Sequence, residues 1–525
     1  MSSNASALRA LQAAATKNAL SKVQSALSKV DVSSPEVSAI LRQAIAKGHG
    51  AVAAAILSAG ARPAPGEGVP LIIAALRLDA AEIVAPLLAS LAADADVDST
   101  AAPGGWTALF WAAKRGDRAL VEALLGAGAS VSKTERMGGT PLMVAVQHLQ
   151  PDASEALLQA GADVEACDSA GWSALLWAAQ AGDAAMVRRL LLAGAKATAP
   201  GGHALMVAVE NGRVEAAAAL LGARRTLDGT LLPPPPERPG GGSSSPEQTA
   251  PTEGAPIVDL DARDAQGWSA VAVAAGAGHT RLLSMLLAAG ASADARTAHT
   301  GRTPLMAAAQ GGHAAAAEAL IRHAEDHAEE VGAEAGAAGG GAGGGCVRAV
   351  AGGVAALVGA TDAQRVTALM LAAKNGHTAA TKALLAARAD ASATDMAGHG
   401  ALELCARKGA ADVARAILAS GALAAAAGPF SAAAGGSLGT HAARALPIAA
   451  KHGHVELVKL LAGFGAPTQP HLMRAAAGGA TEVRDQGNMG VGAAAGHCRG
   501  GGHLGRPRNP HIHTHIHTHR ASGLT

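Results

Sequence analysis

Two windows of this sequence are nearly identical, and their spacing constrains the fold more strongly than any other feature. Residues 105–129 read GWTALFWAAKRGDRALVEALLGAGA, and residues 171–195 read GWSALLWAAQAGDAAMVRRLLLAGA. Trp106 and Trp172 lie two periods apart with Gly139 midway between them, which gives a repeat of 33 residues. A leading aliphatic residue marks each of eleven copies: Leu41, Leu71, Leu109, Leu142, Leu175, Leu205, Val271, Leu305, Leu369, Leu402 and Leu446.

Each copy contains the signals of two short helices joined at a glycine. A hydroxyl residue precedes the first helix, where its oxygen can accept a hydrogen bond from a free backbone N–H group. Gly116 or Gly182 ends that helix, and paired leucines such as Leu124 and Leu125 lie on the second. Because only another helix pair can cover the apolar face of each pair, the pattern predicts an all-α solenoid of about eleven helix-turn-helix units with short hairpin loops, interrupted by disordered insertions. The predicted capping residues are Thr107, Thr140, Ser173, Ser269, Thr303 and Thr367.

The copies resemble the ankyrin repeat family, whose pattern combines Thr-Pro-Leu-His, Ala-Ala, Gly-His, Leu-Leu and Gly-Ala. Residues 302–313 (RTPLMAAAQGGH) and 366–390 (VTALMLAAKNGHTAATKALLAARAD) match this pattern well, and the resemblance covers about two-thirds of the chain. It implies an ankyrin-like solenoid that binds partners on a concave face of hairpin tips and first helices. The family's histidine after Pro-Leu is missing, so we expect each unit to lose a polar contact with its capping hydroxyl. The replacing residues are Phe110, Met143, Leu176, Met206, Met306, Met370 and Glu403.

Interruptions of the repeat divide the chain into blocks. Pro/Gly/Ser-rich and Gly/Ala-rich stretches cannot bury a core, and we expect one continuous solenoid from which they loop out. The N-terminal segment has no acidic residue before Asp31 and is either an amphipathic capping helix or a targeting segment. The predicted domains are 1–35, capping or targeting segment; 36–223, first repeat block; 224–257, linker; 258–323, second block; 324–360, insertion; 361–422, third block; 423–442, loop; 443–466, terminal repeat; and 467–525, disordered His-rich tail.

The composition argues against several classes of function. Lys and Arg number 42 against 41 Asp and Glu, and only 2% of residues are aromatic. We therefore expect no nucleic-acid partner, since such proteins normally carry excess positive charge or aromatic stacking platforms. Four scattered cysteines indicate a reducing compartment, and no stretch is apolar enough for a membrane span. We expect a cytoplasmic or nuclear protein. The alternative is a chloroplast or mitochondrion, if residues 1–30 are a transit peptide.

One set of candidate binding residues follows the hairpin glycine of several units. Tryptophan and arginine most often anchor protein interfaces. The alternative is that a tryptophan at this position packs on the neighbouring hairpin, and the sequence favours neither. The candidates are Trp106, Trp172, Trp268, Arg302 and His399.

A second set of candidates lies just before the glycine that ends the first helix. Cations collect at this position in a nearly neutral chain, against the single acid Glu210: Lys47, Arg77, Lys114, Arg115, Lys374, Arg407, Lys408 and Lys451. The pattern predicts a basic concave groove for an acidic segment of a partner protein. The alternative is helix electrostatics, because a cation near a helix C-terminus is stabilised by about 0.3–1 kcal/mol. The candidates are Lys114, Arg115, Lys374, Arg407, Lys408 and Lys451.

Signals for catalysis or metal binding are weak. Gly339, Gly341 and Gly344 match a dinucleotide-binding pattern, but any glycine run does so and no strand precedes them. The acidic surroundings of His323 and His327 are typical of a solvated helix. The tail HIHTHIHTHR suits a transition metal or is low-complexity sequence. We therefore predict a non-catalytic interaction scaffold without a cofactor. The alternatives are a substrate-recruiting adaptor, as in a ubiquitin ligase, and a protein that binds metal through the tail.

Overall fold

The chain folds into a stack of helix pairs. The computed structural model describes residues 2–64, 66–78, 80–90, 96–100, 104–225, 231–232, 255–256, 258–337, 353–420 and 437–463. We number the helix pairs of these residues as units 1 to 12. Their first helices are α1 (Ser2–Thr16), α3 (Pro35–Ala46), α5 (Gly68–Arg77), α7 (Ala108–Arg115), α9 (Pro141–Gln147), α11 (Ala174–Ala181), α13 (Ala204–Glu210), α15 (Ala270–Ala277), α17 (Pro304–Gly311), α19 (Ala368–Asn375), α21 (Ala401–Lys408) and α23 (Ser437–Lys451). Their second helices are α2 (Leu20–Leu27), α4 (Gly50–Ser58), α6 (Val84–Ala89), α8 (Arg118–Gly126), α10 (Pro151–Gln159), α12 (Ala184–Leu192), α14 (Val214–Leu221), α16 (Thr280–Ala288), α18 (Ala314–Ala337), α20 (Thr378–Ala386), α22 (Ala411–Ala419) and α24 (Val455–Gly463).

The first helices form one continuous row in which each helix contacts the next, from α1 to α23. Fully buried alanine pairs, such as Ala178 and Ala179, let neighbouring helices approach closely. The eleven leading aliphatic residues all lie on first helices of units 2 to 12, and each is at most 5% exposed. A single apolar core extends from Leu11 to Leu461. The predicted all-α, ankyrin-like repeat fold is therefore confirmed.

The N-terminal segment adds a helix pair to the eleven predicted units. Helix α1 packs on α3, and α2 packs on α4, so unit 1 covers the face of unit 2 that would otherwise be exposed to solvent. Leu11 of α1 and Val23 of α2 are completely buried in this contact region. The packing is that of a capping element at the end of a repeat array.

Stacking continues from unit to unit across the three interruptions. Helix α13 packs on α15, α17 on α19, and α21 on α23. At the second interruption, the Ala363 N–H group donates to the Thr300 carbonyl at 2.9 Å, which joins the hairpins of units 9 and 10. Insertions are tolerated in this way because each unit depends only on contacts with its neighbours.

The interruptions themselves differ from the predicted boundaries in two places. Helix α18 does not end near residue 323 but continues to Ala337, inside the segment predicted as an insertion, and a further helical segment covers 353–358. The strands of the described residues are β1 (Thr198–Ala199), β2 (Gly202–His203), β3 (Arg224–Arg225), β4 (Leu231–Leu232) and β5 (Ala255–Pro256). The last three lie in the predicted linker 224–257 and form a three-stranded sheet with order β4-β3-β5. The rest of the predicted linker (226–230, 233–254 and 257), residues 338–352 and 421–436, and the tail after residue 463 lie outside the described residues.

The predicted helix caps are correct at four of six positions. The side chains of Thr140, Ser269, Thr303 and Thr367 each accept a hydrogen bond from the backbone N–H group three residues later. The prediction is wrong for Thr107 and Ser173, whose buried hydroxyl oxygens have no hydrogen-bond partner among the residues that the structure describes. Similar hydroxyl residues therefore make different energetic contributions at equivalent positions.

This difference predicts opposite effects of the same substitution. Thr303→Val removes a cap and should lower the free energy of unfolding by about 1 kcal/mol. Thr107→Val replaces an unpaired buried hydroxyl by a methyl group and should leave stability unchanged or raise it. Urea denaturation followed by circular dichroism measures both effects. Equal losses in the two variants would contradict this assignment of the caps.

Candidate functional site

A recurring hairpin positions the first set of candidate residues. In unit 6, the Asp168 carboxylate accepts hydrogen bonds from the backbone N–H groups of Ala170 and Trp172, both at 2.9 Å. The Asp168 N–H group donates to the Trp172 carbonyl, and Gly171 between them has a left-handed φ of 79°. Equivalent backbone bonds join Asp264 to Trp268, Asp362 to Val366, and Asp395 to His399. The hairpin thus fixes the residue that follows its tip at the start of each first helix.

The two sets of candidates meet in several units. The residue after the hairpin tip lies beside the residue eight positions later, near the end of the first helix. The Lys114 ammonium is 5.6 Å from the centroid of the Trp106 ring. In unit 11, Arg407 Nη2 lies 2.8 Å from His399 Nε2. We call these paired positions, repeated along the first helices, the hairpin-side row.

A third pair in the hairpin-side row uses a residue that the sequence analysis missed. Arg302 Nη1 donates to Gln310 Oε1 at 2.8 Å, again across eight positions. The same guanidinium forms an ion pair with the buried carboxylate of Asp362 at 3.5 Å, between units 9 and 10. Only 26% of the Arg302 side chain is exposed. This arginine therefore connects two units in addition to lining the row.

The tryptophans make contacts of the packing type. Trp106 Nε1 donates to Glu135 Oε2 in the next hairpin at 2.8 Å, and its ring lies 5.0 Å from that of Trp111. Trp172 pairs with Trp177 at 4.9 Å. Trp268 forms no ring pair with any described residue, because the position equivalent to Trp177 is Val273. All five indoles sit partly buried, which leaves some ring surface for a partner.

The cationic candidates divide into two groups by exposure. In unit 4, Lys114 and Arg115 are partly buried. In units 10 to 12, the side chains are exposed, and none of them forms an ion pair with a described residue: Lys374, Arg407, Lys408 and Lys451. These exposed cations lie on three consecutive units at one end of the stack, and Lys47 of unit 2 and Arg77 of unit 3 are also exposed at the same helix-end position near the other end.

A column of histidines beside this row stabilises the stacking. His377 Nε2 lies 3.1 Å from the Gln310 carbonyl of the preceding unit, and His454 Nε2 lies 3.4 Å from the Arg407 carbonyl. These contacts occupy carbonyls at the C-termini of first helices, which have no partner within the helix. Partial burial and the neighbouring His313 lower the pKa of His279 in the same column. The histidines thus act in packing between units.

The candidate metal ligands do not assemble into a site among the described residues. The rings of His323 and His327 on α18 are 5.3 Å apart, but no group of three or more His, Cys, Asp or Glu side chains with metal-binding geometry occurs in the described ranges. The glycine run with Gly339 and the HIHTHIHTHR tail lie outside the described residues.

A buried acid–histidine pair was not predicted. Glu403 replaces the family's histidine, and its Oε1 atom lies 3.1 Å from Nδ1 of His441 in unit 12. The other oxygen accepts from the Gly400 N–H group at 2.9 Å. The expected loss of a polar contact is therefore wrong at this unit, because Glu403 itself caps the helix. Its position in the Thr-Pro-Leu-His pattern was the only available signal.

Fold and site together define a repeat protein built from stacked helix pairs, with a row of hairpin and helix-end side chains along its first helices. Within the described ranges, no helix combines the length and apolarity that a membrane span requires. A family model described as ankyrin repeats (3 copies) matches residues 71–168, 155–228, 253–330 and 343–426, and the chain belongs to this family. Ankyrin repeats are in general protein–protein interaction modules and are typically non-catalytic.

The chain is also similar to a solved structure. This is the ankyrin repeat domain of Bcl-3, described as a unique member of the IkappaB protein family. The sequences are 21% identical, the TM-score is 0.36, and the match covers 53% of this chain and 98% of that chain. None of the curated proteins matches the chain.

Proposed function

We propose that this protein is a non-catalytic scaffold that binds an acidic segment of a partner protein along the hairpin-side row of units 10 to 12. The observation that carries the proposal is the exposed group Lys374, Arg407, Lys408 and Lys451, which has no acidic partner among the described residues. The chain as a whole is nearly neutral, so the local excess of positive charge comes from the positions of these cations and not from a surplus of Lys and Arg in the composition.

The helix termini supply a competing reason for these cations. Each lies in or next to the last turn of a first helix, where the helix dipole favours positive charge by about 0.3–1 kcal/mol. The two explanations predict different measurements. Helix electrostatics alters stability, whereas a binding row alters affinity for an acidic ligand and its dependence on salt.

Charge reversal at unit 11 tests the proposal directly. The variant Arg407→Glu/Lys408→Glu should bind a fluorescein-labelled oligoglutamate peptide roughly tenfold more weakly than the parent protein, because two attractive contacts become repulsive. Fluorescence anisotropy at increasing salt measures the change. The parent affinity should fall with salt, and the affinity of the variant should fall less.

The matched control reverses the same number of charges on second helices of neighbouring units. Lys382→Glu/Arg415→Glu changes exposed residues of α20 and α22, of which Arg415 forms an ion pair with Asp412 at 2.6 Å. Because neither residue lies on the hairpin-side row, peptide affinity should stay within about twofold of the parent. Thermal unfolding of both variants measures the loss of stability that the helix-electrostatics explanation predicts. A row variant that loses stability but retains its affinity would refute the binding role. The adaptor role and the cellular compartment stay predictions from the sequence.

A further inference from the structure

Units 4 and 6 carry two tryptophan pairs with nearly the same geometry. Trp106 and Trp111 have ring centroids 5.0 Å apart and planes inclined by 57°. Trp172 and Trp177 have centroids 4.9 Å apart and planes inclined by 48°. Each pair consists of the residue after the hairpin tip and a residue on the first helix. The pairs therefore form equivalent aromatic surfaces, and the groups that lie on them can be compared directly.

The pair in unit 4 already holds a cation. The Lys114 ammonium lies 5.6 Å from the Trp106 centroid and 5.4 Å from the Trp111 centroid. At these distances a cation is attracted to the negative face of an indole, the most favourable of the aromatic rings. The chain itself thus shows which chemical group this surface accepts.

The equivalent pair in unit 6 lacks such a cation. Gln180 replaces lysine eight positions after Trp172. Among the described residues, no lysine or arginine lies over the rings of Trp172 or Trp177, and both indoles keep partial exposure. The next hairpin packs against one edge of Trp172, where a Cβ atom on Gly201 would lie 2.7 Å from Cδ1, and the exposed remainder of the two rings is available to a group from outside the chain.

Three carboxylates lie in the hairpin of the unit 6 pair, and one cation, Arg213, donates from Nε to the Gln180 carbonyl at 2.9 Å. Asp168 Oδ2 accepts a hydrogen bond from Trp177 Nε1 at 3.3 Å, and Asp168 forms no ion pair with a described residue. Asp163 and Glu165 lie in the same hairpin segment, and only Glu165 is paired, with Lys196 at 3.5 Å. Burial and these three carboxylates raise the pKa of the neighbouring Cys167. A cation over the indoles would thus also be attracted by Asp168.

The unit between the two pairs has no tryptophan at the hairpin position. Unit 5 has Gly139 at the position equivalent to Trp106 and Trp172, so no third indole lies between them. The carboxylate of Glu135 lies there instead, with its Oε1 atom 3.1 Å from where a Cβ atom of Gly139 would be. The same carboxylate accepts the hydrogen bond from Trp106 Nε1, so the hairpin position between the two pairs holds a carboxylate in place of a third indole.

We infer that Trp172 and Trp177, with Asp168, bind a lysine or arginine side chain of the partner protein. This inference rests on the proposed function, because it places the site on the same hairpin-side row. A bound segment would present a basic side chain to unit 6 and acidic side chains to units 10 to 12. The Lys114 site of unit 4 is the intramolecular counterpart, filled by the chain's own cation.

Substitutions of the residue that lies eight positions after the hairpin-tip residue test the site without altering the indoles. Gln180→Lys should place an internal ammonium over Trp172 and Trp177, as Lys114 does in unit 4, and so block the site. Lys114→Gln should open the unit 4 pair. Gln147→Lys adds the same charge at the equivalent position of unit 5, which has no tryptophan pair, and is the matched control.

Fluorine NMR of protein labelled with fluorotryptophan follows the five indoles separately, with assignments from single Trp→Phe variants. The probe is N-acetyl-lysine methylamide, and its neutral counterpart carries an acetylated side-chain amine. The cationic probe should shift the Trp172 and Trp177 resonances of the parent protein. Gln180→Lys should weaken this binding about tenfold, and Gln147→Lys should not. In Lys114→Gln, the Trp106 and Trp111 resonances should begin to respond.

Equal shifts with the neutral probe, or unchanged binding in Gln180→Lys, would overturn the inference. Trp172→Phe provides a second test that does not depend on Gln180. Because phenylalanine attracts a cation less strongly than tryptophan, this variant should have reduced affinity for the cationic probe and unchanged affinity for the neutral one. Oligoglutamate binding measured on the same Gln180→Lys protein separates the two proposals. If the parent protein binds the oligoglutamate peptide but not the cationic probe, only the cation site is rejected.

Discussion

Replacing His441 by alanine is expected to detach the terminal unit from the stack. The Glu403 and His441 side chains are 2% and 9% exposed, and their contact joins unit 11 to unit 12. The alanine variant leaves a buried carboxylate without this partner, which should cost about 3 kcal/mol. Because a repeat array can unfold locally, the effect should concentrate in one region. Hydrogen exchange measured by mass spectrometry should show faster exchange across residues 437–463 and little change in units 1 to 9.

The control for this prediction removes both partners. Glu403→Leu/His441→Leu leaves no buried charge, so its cost should be much smaller than that of His441→Ala, apart from the lost hydrogen bond to Gly400. A double variant as unstable as the single one would show that packing, rather than the unpaired charge, controls docking of the terminal unit.

The pair also predicts a direction of pH dependence. Burial by itself raises the pKa of Glu403, but hydrogen bonds from His441 and backbone N–H groups and the charge of His441 outweigh it, so the pKa is lowered. A lowered pKa in the folded state stabilises the protein above the unfolded pKa of about 4.3, and this contribution is lost as the pH falls through the folded value. As the pH falls below about 4.3, the stability of the parent protein relative to the double leucine variant should therefore decrease, because the contribution of the Glu403 carboxylate is lost.

Gly312→Ala is expected to produce the second large effect, at the junction of units 9 and 10. Gly312 has a φ of 79°, and an added Cβ atom would lie 2.5 Å from Nδ1 of His377 in the next unit. The left-handed backbone costs an alanine about 1–2 kcal/mol. Displacing His377 also breaks its contact with the Gln310 carbonyl, for a total of about 2–3 kcal/mol in urea denaturation.

A glycine with the same backbone strain and no neighbour provides the control. Gly290 has a φ of 91° and nothing within 4 Å of its added Cβ atom. Gly290→Ala should therefore cost only the conformational part, about 1–2 kcal/mol. A double-mutant cycle with His377→Ala isolates the steric part. Equal losses at the two glycines would mean that the contact with His377 does not matter.

The sequence alone did not predict how the two sets of candidate residues lie relative to each other. The hairpin position and the helix-end position were both recognised from the repeat, but as separate sets. Their contact across eight residues, as between Trp106 and Lys114, depends on how the hairpin turns back onto the helix. The individual side chains then decide whether a cation at the helix end contacts an indole, contacts a histidine or has no such neighbour. For this reason Lys114 is partly buried and Lys374 is exposed.

The helix caps illustrate the same limit at a single residue type. Thr303 caps its helix and Thr107 does not, although both precede a first helix in the same pattern. The alternatives differ by about 1 kcal/mol, which is small enough for neighbouring side chains to decide. Local sequence therefore predicted the position of each helix start but not every hydrogen bond made there.

The amino-acid sequence by itself determined the period, the helix pairs and the face that each pair buries. These follow from apolar spacing and from glycines at helix ends, which act within a single unit. Only the tertiary structure decided that stacking continues past the insertions, that Glu403 contacts His441, and that Lys114 lies over one tryptophan pair while no described lysine or arginine lies over the other. These contacts join residues of different units or depend on one side chain among repeated copies, and a periodic pattern specifies the average unit rather than its exceptions.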